Sequence, residues 1–269
     1  MTLAARSLMF VPGGRPELLA KVARCRPDVV VADLEDAVAP GDKERARGAI
    51  VEALAERPEA GAVLLRINPP GTPWYADDLA MAARAPVDGI VLPKYELRSQ
   101  LAEVRTTLSA GALVIVGLES ARGVADARPL LEEGPDAVYL GAEDLIADLG
   151  GRRTPAGTEV LYARSQVCLA AHLAAVPSID QAVVAVRDTR YFRQDAAQGR
   201  DLGYHGKICL HPLQVEAAHE VFTPSKEEIG HARAVLAAAE QGVGMVNGQM
   251  VDAAHVAMAR GVLARTGVS

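Results

Sequence analysis

Two apolar runs in this chain break abruptly into acid. LVIVGLES closes on Glu119, and AVYLGAEDL closes on Glu143 and Asp144. Both runs are too apolar for a strand with a solvent face and read instead as strands of a parallel sheet buried on both sides. In parallel α/β folds the chemistry gathers at the carboxyl ends of the strands. Adjacent strands lie about 4.8 Å apart, so acids on two neighbouring ends can reach one divalent cation. Oxygen ligands without a Cys or His cluster suit Mg²⁺ or Mn²⁺ rather than zinc. Mg²⁺ takes one or two protein carboxylates and completes its shell with water and substrate oxygens, which makes Glu119 and Asp144 the candidate pair. Taken singly, each has a plainer explanation: Asp144 as a helix cap, Glu119 as a cap of the turn at Ser120-Ala121. Their coincidence on consecutive strands, facing an arginine, favours a metal.

Other polar residues collect at the same predicted rim. The second strand ends in Asp33, Glu35 and Asp36, the third in Arg66 and Asn68, the fourth in Lys94 and the eighth in His211-Pro212. Arg66 precedes a rigid Pro69-Pro70-Gly71 loop, and its planar fork suits a carboxylate or a developing enolate oxygen. A structural pair with Glu35 or Asp36 is the competing role. Lys94 is either a Schiff-base lysine or, among so many acids, a charge partner or substrate contact. The turn Pro12-Gly13-Gly14-Arg15-Pro16 could let a phosphate approach a helix start, with Arg15 and Lys21 adding charge; a tight turn with solvated charges explains it equally. His211 could touch a ligand, whereas His172, His219, His231 and His255 read as helix-surface or packing residues. There is no Gly-x-Ser-x-Gly elbow and no Ser/His/Asp set.

These residues need a scaffold that brings many strand ends together. Short β-rich bursts alternate with Ala-rich amphipathic stretches, the pattern of a parallel sheet with crossover helices. Strands are predicted at Ser7–Val11, Val29–Asp33, Ala62–Ile67, Gly89–Pro93, Leu113–Leu118, Ala137–Leu140, Val176–Ile179 and Lys207–Leu210. Helices are predicted at Lys43–Glu56, Ser99–Ser109, Ala121–Glu132 and Thr158–Ala174. Eight βα units within about 220 residues point to a TIM (β/α)8 barrel, and the glycine fingerprints of nucleotide-binding sheets are missing. The barrel is expected over residues 1–222 and a C-terminal helical extension over 223–269. The extension contains helices at Lys226–Gln241, with Ser225 and Glu228 as a capping box, and at Ala253–Arg265. Asn247-Gly248 between them reads as a hairpin tip. It is either a subdomain of the same barrel or an arm toward a neighbouring subunit.

Composition narrows the class of function. The 269 residues carry a net charge of −6 with only 4% aromatics. That balance argues against nucleic acid as a partner. No segment approaches the roughly 18 uninterrupted apolar residues of a membrane helix. The basic, then apolar start MTLAARSLMFVPGG is too short in its apolar part for a signal peptide and reads as the first strand. The cysteines Cys25, Cys168 and Cys209 form no framework and fit buried thiols in a reducing, cytoplasmic setting.

Motif by motif the chain resembles a known family. SLMFVPGGRPELLAK, VVVADLEDAVAPGDKERAR, LLRINPPGTPWYADDL, GIVLPKYE, VGLESARGV, LGAEDLIADLG and GKICLHPLQV are similar, in that order, to the citrate lyase β-subunit-like branch of the HpcH/HpaI aldolase family. The resemblance implies a Mg²⁺-dependent carbon–carbon lyase on a TIM barrel, acting on thioesters of CoA or of an acyl carrier protein and assembling as a homotrimer or a hexamer. Glu119 in GLES and Asp144 in AEDL would then be the metal ligands, Arg66 in LLRIN the substrate-binding arginine, and Glu35-Asp36 the acidic pair beside it. NGQMVDAAH resembles a motif whose aspartate, here Asp252, is offered to a neighbouring subunit's site as an acid/base; Asn247 and Gln249 depart from that motif. The implied reaction is retro-Claisen cleavage of a β-hydroxyacyl-CoA such as malyl-CoA or citramalyl-CoA, giving an acyl-CoA and a 2-oxo acid. The alternative is the citryl-carrier-protein lyase subunit of a citrate lyase complex. A pyruvate-dependent aldolase would call for a histidine base near the second-strand acids, and DLEDAV has none.

Overall fold

Eight short apolar segments build one parallel sheet that closes on itself. In the computed structural model, which describes residues 3, 5–58, 60–240 and 244–267, they are β1 (Ser7–Pro12), β2 (Val29–Asp33), β3 (Ala62–Arg66), β4 (Gly89–Leu92), β5 (Leu113–Leu118), β6 (Ala137–Leu140), β7 (Ser178–Asp180) and β8 (Gly206–Cys209). Each strand pairs in parallel with the next, and β1 returns to β8 with Ser7 opposite Lys207, which seals the barrel. The fold is the expected (β/α)8 barrel.

Side-chain alternation divides the strand residues between two cores. Leu8, Phe10, Val29, Val31, Leu64, Val91, Ile115, Tyr139, Ile179 and Ile208 fill the barrel interior. Their neighbours, such as Val30, Leu65, Ile90, Val116 and Leu140, are equally buried beneath the helices. Burial on both faces is why the strands read as unbroken apolar runs. The helices are α1 (Lys43–Leu54), α2 (Tyr75–Ala82), α3 (Arg98–Thr107), α4 (Ala121–Ala125), α5 (Ala127–Leu131), α6 (Ala142–Asp148), α7 (Leu161–Leu173), α8 (Thr189–Leu202) and α9 (Pro212–Phe222), with a 3-10 helix at Pro16–Arg24 in the first crossover.

Local chemistry moves several boundaries from their predicted places. The single helix expected over Ala121–Glu132 is two, interrupted at Asp126. Pro129 offers no N–H and its ring crowds the carbonyl of Ala125, which breaks the ladder there. The seventh strand begins at Ser178 rather than Val176, because Ala175 turns left-handed (φ 54) and Val176 donates back to the Ala171 carbonyl, finishing α7. The eighth is shifted one residue back, to Gly206–Cys209. Thr158–Val160 are turn, so α7 starts at Leu161.

A buried ionic cluster joins the barrel to its outer layer. Asp180 and Lys207, opposite each other in register on β7 and β8, point outward. Arg164 of α7 clasps Asp180 through Nε and Nη2 at 2.8 and 2.6 Å. Lys207 Nζ donates to Asp180 at 2.7 Å, to Asp195 of α8 at 2.5 Å and to the Gln181 carbonyl at 2.7 Å. The Lys207 and Arg164 charges overcome burial and hold the Asp180 carboxyl below its ordinary value. Two cations and two anions satisfy one another in a space almost closed to solvent, where only Asp195 keeps a slight exposure.

The chain divides into two compact units, residues 1–219 and 220–269. The second unit contains the last turn of α9, then α10 (Lys226–Glu240), a hairpin of β9 (Met245–Val246) and β10 (Gln249–Met250), and α11 (Ala253–Ala264). They pack around Ala232, Val235, Val246 and Ala259. Ser225 and Glu228 form the expected capping box, with bonds of 2.7 and 3.1 Å. Asn247 and Gly248 are both left-handed (φ 49 and 80), as a type I′ hairpin turn demands. Gln241, which the sequence placed at the end of α10, lies outside the described residues, as do Met1, Thr2 and Ala4 of the N-terminal segment. Among the described residues no helix is long and apolar enough to cross a membrane.

Candidate active site

The alternation that fills the barrel also aims its last inward positions at the carboxyl-end rim. On β2 the inward series Val29, Val31 ends in Asp33, and on β3 the series Ala62, Leu64 ends in Arg66. The two termini are directly opposed in the strand register. Arg66 Nε and Nη2 donate to the two Asp33 oxygens at 2.7 and 2.6 Å, and Nη1 lies 3.0 Å from Glu35 Oε2. The guanidinium sits 4.8 Å from the centre of the Phe10 ring. Burial opposes its charge, but Asp33 and then Glu35 hold its pKa well above the ordinary value.

Glu35 is buried under the loop that follows β2. Its backbone N–H donates to Asp33 Oδ1, and Lys43 Nζ donates to the Leu34 and Glu35 carbonyls at 2.8 and 2.6 Å. Lys94, in a left-handed conformation (φ 49) just past β4, donates to Glu35 Oε1 at 2.8 Å. Its Nζ also lies 3.9 Å from Asp36 and 3.5 Å from Asp144. Burial would lower the Lys94 pKa, but the Glu35 hydrogen bond and the surrounding carboxylates raise it above the ordinary lysine value. Lys94 thus stands in the structure as an ion-pair partner of Glu35, with Asp36 and Asp144 nearby.

Glu119 continues the inward series of β5 and is buried. Its Oε1 accepts a hydrogen bond from the Tyr139 hydroxyl, while its Oε2 is buried without a partner. Burial, then the charge of Glu35, push the Glu119 carboxyl up to about 8. Asp144 stands in the first turn of α6, about one-third exposed and making no cap bond. A cavity of about 370 Å³ opens among these groups, lined by Asp33, Asp36, Arg66, Glu119, Tyr139, Glu143 and Asp144 on its polar side and by Phe10, Pro12, Ala182, Ile208 and Leu210 on its apolar side.

The donor set fits a hard divalent cation. Glu119 offers a desolvated oxygen aimed at nothing in the protein, and Asp144 offers a carboxylate on the same cavity wall. Among the described residues no group of three or more His, Cys, Asp or Glu is set for a metal ion, so the fit rests on these two carboxylates. They are the number Mg²⁺ ordinarily takes from protein.

The structure brings together Arg66, Glu35, Asp36, Lys94, Glu119 and Asp144. The caps suggested for the two acids do not form: Ser120 caps α4 itself. Arg66 is paired mainly with Asp33 rather than with Asp36, whose side chain is exposed near Lys94. Arg15 and Lys21 are not among the cavity-lining residues. Arg15 is exposed and pairs with Glu17 at 3.2 Å, at the start of a 3-10 helix. Gly13 serves a close approach of backbone, donating to the Asp33 carbonyl at 2.8 Å; a Cβ there would lie 2.5 Å from that oxygen. The glycine turn is thus a tight β1–β2 contact. Glu143 is held by Arg153 at 2.8 Å. His211 accepts from the Leu213 N–H and does not line the cavity. Asp252 belongs to the second unit, where it caps α11 and meets His255 Nδ1 at 2.7 Å.

Two members of the site take their roles from the fold rather than from any sequence motif. Asp33 was visible at the rim, but its pairing follows from strand register. Tyr139 lies inside an apolar run; the available signal was the alternation of AVYL, which turns the tyrosine inward, where a buried hydroxyl needs a partner.

The HpcH/HpaI aldolase/citrate lyase family model matches residues 6–212. The chain belongs to the HpcH/HpaI family. One relative is the citrate lyase subunit beta-like protein of Deinococcus radiodurans, 45% identical and aligned over 96% of each chain. A (3S)-malyl-CoA thioesterase of Cereibacter sphaeroides is 32% identical over 97% of this chain and 94% of its own. Among solved structures, CitE of Mycobacterium tuberculosis in complex with magnesium, acetoacetate and coenzyme A superposes with a TM-score of 0.86. It is 34% identical and covers 98% of this chain and 99% of that one. HpcH/HpaI membership places the acid-rich rim in a family of carbon–carbon lyases.

Proposed function

We propose that this chain is a Mg²⁺-dependent lyase that cleaves a β-hydroxyacyl-CoA thioester to an acyl-CoA and a 2-oxo acid. The observation that carries the reading is the arrangement of one cavity. A charged arginine, locked by Asp33 and Glu35, faces a wall on which a buried carboxylate oxygen of Glu119 is left without a partner beside Asp144. The magnesium and coenzyme A bound by the mycobacterial relative support the same reading.

Glu119 and Asp144 would hold the metal. When bound, Mg²⁺ supplies Lewis acidity toward the carboxylate and hydroxyl oxygens of the substrate and the carbonyl that forms from the hydroxyl. Asp36, exposed on the cavity wall, accepts the hydroxyl proton. The carbon–carbon bond then breaks, its electrons passing into the thioester as an enolate while the hydroxyl carbon becomes the carbonyl of the 2-oxo acid. Arg66 stabilises the enolate oxygen with N–H donors whose direction the Asp33 fork sets. Protonation of the enolate carbon completes the acyl-CoA. Asp252 is our candidate for that acid, delivered across a subunit boundary in a homotrimer or hexamer. Arg15, at the start of the 3-10 helix that follows β1, and Lys21, within that helix, would meet the phosphates of the CoA moiety.

Purified protein incubated with malyl-CoA, citramalyl-CoA or 3-hydroxy-3-methylglutaryl-CoA should release acetyl-CoA and the matching oxo acid in equal amounts. Free CoA thiol released without acetyl-CoA would indicate thioester hydrolysis, the activity named for the Cereibacter relative, and would overturn the lyase reading. The citrate lyase subunit beta-like name of the Deinococcus relative favours a second reading, cleavage of a citryl group on a carrier protein. Under that reading CoA thioesters are inert and only the carrier-bound substrate is cleaved.

A further inference from the structure

We propose that Tyr139 is a positioning residue for the metal, fixing the Glu119 carboxylate so that one oxygen is held by the protein and the other is presented to the cation. The inference deepens the proposed function and rests on its metal site.

Four inward positions on two adjacent strands make this arrangement. Gly117 and Tyr139 are opposed in the β5–β6 register, and Glu119 and Gly141 follow two residues later on the same faces. The Tyr139 hydroxyl donates to Glu119 Oε1, and both groups are buried. Any side chain at Gly117 would collide with Glu119 Oε1 and the Tyr139 hydroxyl together, and a Cβ at Gly141 would lie 2.5 Å from Glu119 Cγ. The two glycines thus leave a slot in which the Glu119 side chain lies back against the strand below it. Tyr139 closes the slot by binding the inner oxygen. What remains is Glu119 Oε2, buried and unpartnered, on a residue that lines the cavity.

A free carboxylate rotates about its last bond and can bind a cation through either oxygen or both. Tying Oε1 to a rigid phenol removes that freedom and makes Glu119 a one-oxygen donor of fixed direction. Mg²⁺ demands near-octahedral geometry, so a preset direction lowers the entropy cost of binding and disfavours larger ions that take both oxygens. Outer groups that orient ligands in this way contribute about 10–100-fold to metal affinity.

The test is Mn²⁺ binding to substrate-free protein, read from the paramagnetic resonance of free Mn²⁺, with folding followed by circular dichroism. Tyr139→Phe should fold and bind Mn²⁺ about 10–100-fold more weakly, with Ca²⁺ competing better than it does in the wild type. A merely structural tyrosine would lower the melting temperature and leave the Mn²⁺ Kd within about twofold, which overturns the proposal. Should Tyr139→Phe fail to fold, 3-fluorotyrosine placed at position 139 decides: its ¹⁹F resonance should shift on Mg²⁺ titration and stay fixed in Glu119→Gln. An unmoved resonance in the otherwise unchanged protein also overturns it. Wild-type protein that binds no Mn²⁺, or Glu119→Gln that binds as tightly as wild type, would instead sink the metal site itself.

Discussion

Asp33 and Arg66 end neighbouring barrel strands at the same register level and close a two-bonded fork, at 2.7 and 2.6 Å. The pairing consumes Nε and Nη2 and leaves the outer N–H groups of Arg66 for Glu35 and the cavity. A lysine could not reproduce it, because an ammonium is a single point of charge on a flexible stem. Arg66→Lys should therefore lower kcat by about 10²–10³-fold, the loss typical of a missing oxyanion donor. Asp33→Asn removes the charge and turns one of the two acceptors of the fork into an N–H2 donor, and should lower kcat by about tenfold with a smaller change in KM. Steady-state kinetics check both; a pure KM effect in either variant would show that Arg66 binds substrate and transition state equally.

Lys94 should not form a Schiff base. Glu35 at 2.8 Å and the nearby Asp144 keep the amine charged. Borohydride added with pyruvate or glyoxylate should leave the intact mass unchanged. A reduced adduct on Lys94 would contradict the assignment.

The raised carboxyl of Glu119 links stability to pH. A group that is protonated in the folded chain up to about 8, from an ordinary value of 4.5, binds more protons folded than unfolded across that interval. Its contribution to metal-free stability is therefore present at low pH and is lost as pH rises toward 8. Metal-free wild type should lose melting temperature relative to Glu119→Gln between about pH 5.5 and about pH 8.5. Mg²⁺ should restore the wild type more at the higher pH, where the carboxylate is already ionised. Parallel melting curves for the two proteins would refute the linkage.

The buried cluster of Arg164, Asp180, Asp195 and Lys207 predicts a large stability effect remote from the cavity. Lys207→Met removes one charge and leaves two carboxylates in a dry space with only Arg164. Such a broken buried pair costs about 3–5 kcal/mol, measurable by urea unfolding. A change under about 1 kcal/mol would mean that water reaches the cluster.

Much of this fold was legible because barrel strands carry their signal locally. β2 and β5 were bounded correctly from Val29 to Asp33 and from Leu113 to Leu118, since nothing but continuous apolar burial explains those runs. β7 was less so, because Ala175 turns left-handed and gives Val176 to the end of α7. The rim acids and Arg66 could be found by their position after strands. Their pairing could not: which oxygen Arg66 grips depends on register, and the depth of Lys43 beneath Glu35 depends on the loop that folds over it. Tyr139 was hidden by its own hydrophobicity, since within AVYL it reads as core until a carboxylate is found at its hydroxyl.

The central claim is that Glu119 and Asp144 hold a magnesium ion needed for carbon–carbon cleavage. The most direct test is acetyl-CoA release from malyl-CoA and citramalyl-CoA by wild type and Glu119→Gln, each with Mg²⁺ and with EDTA. The account predicts acetyl-CoA with stoichiometric glyoxylate or pyruvate from wild type with Mg²⁺, and a loss of at least about 10³-fold in EDTA or in the variant. Full cleavage in EDTA, or by Glu119→Gln, would contradict it.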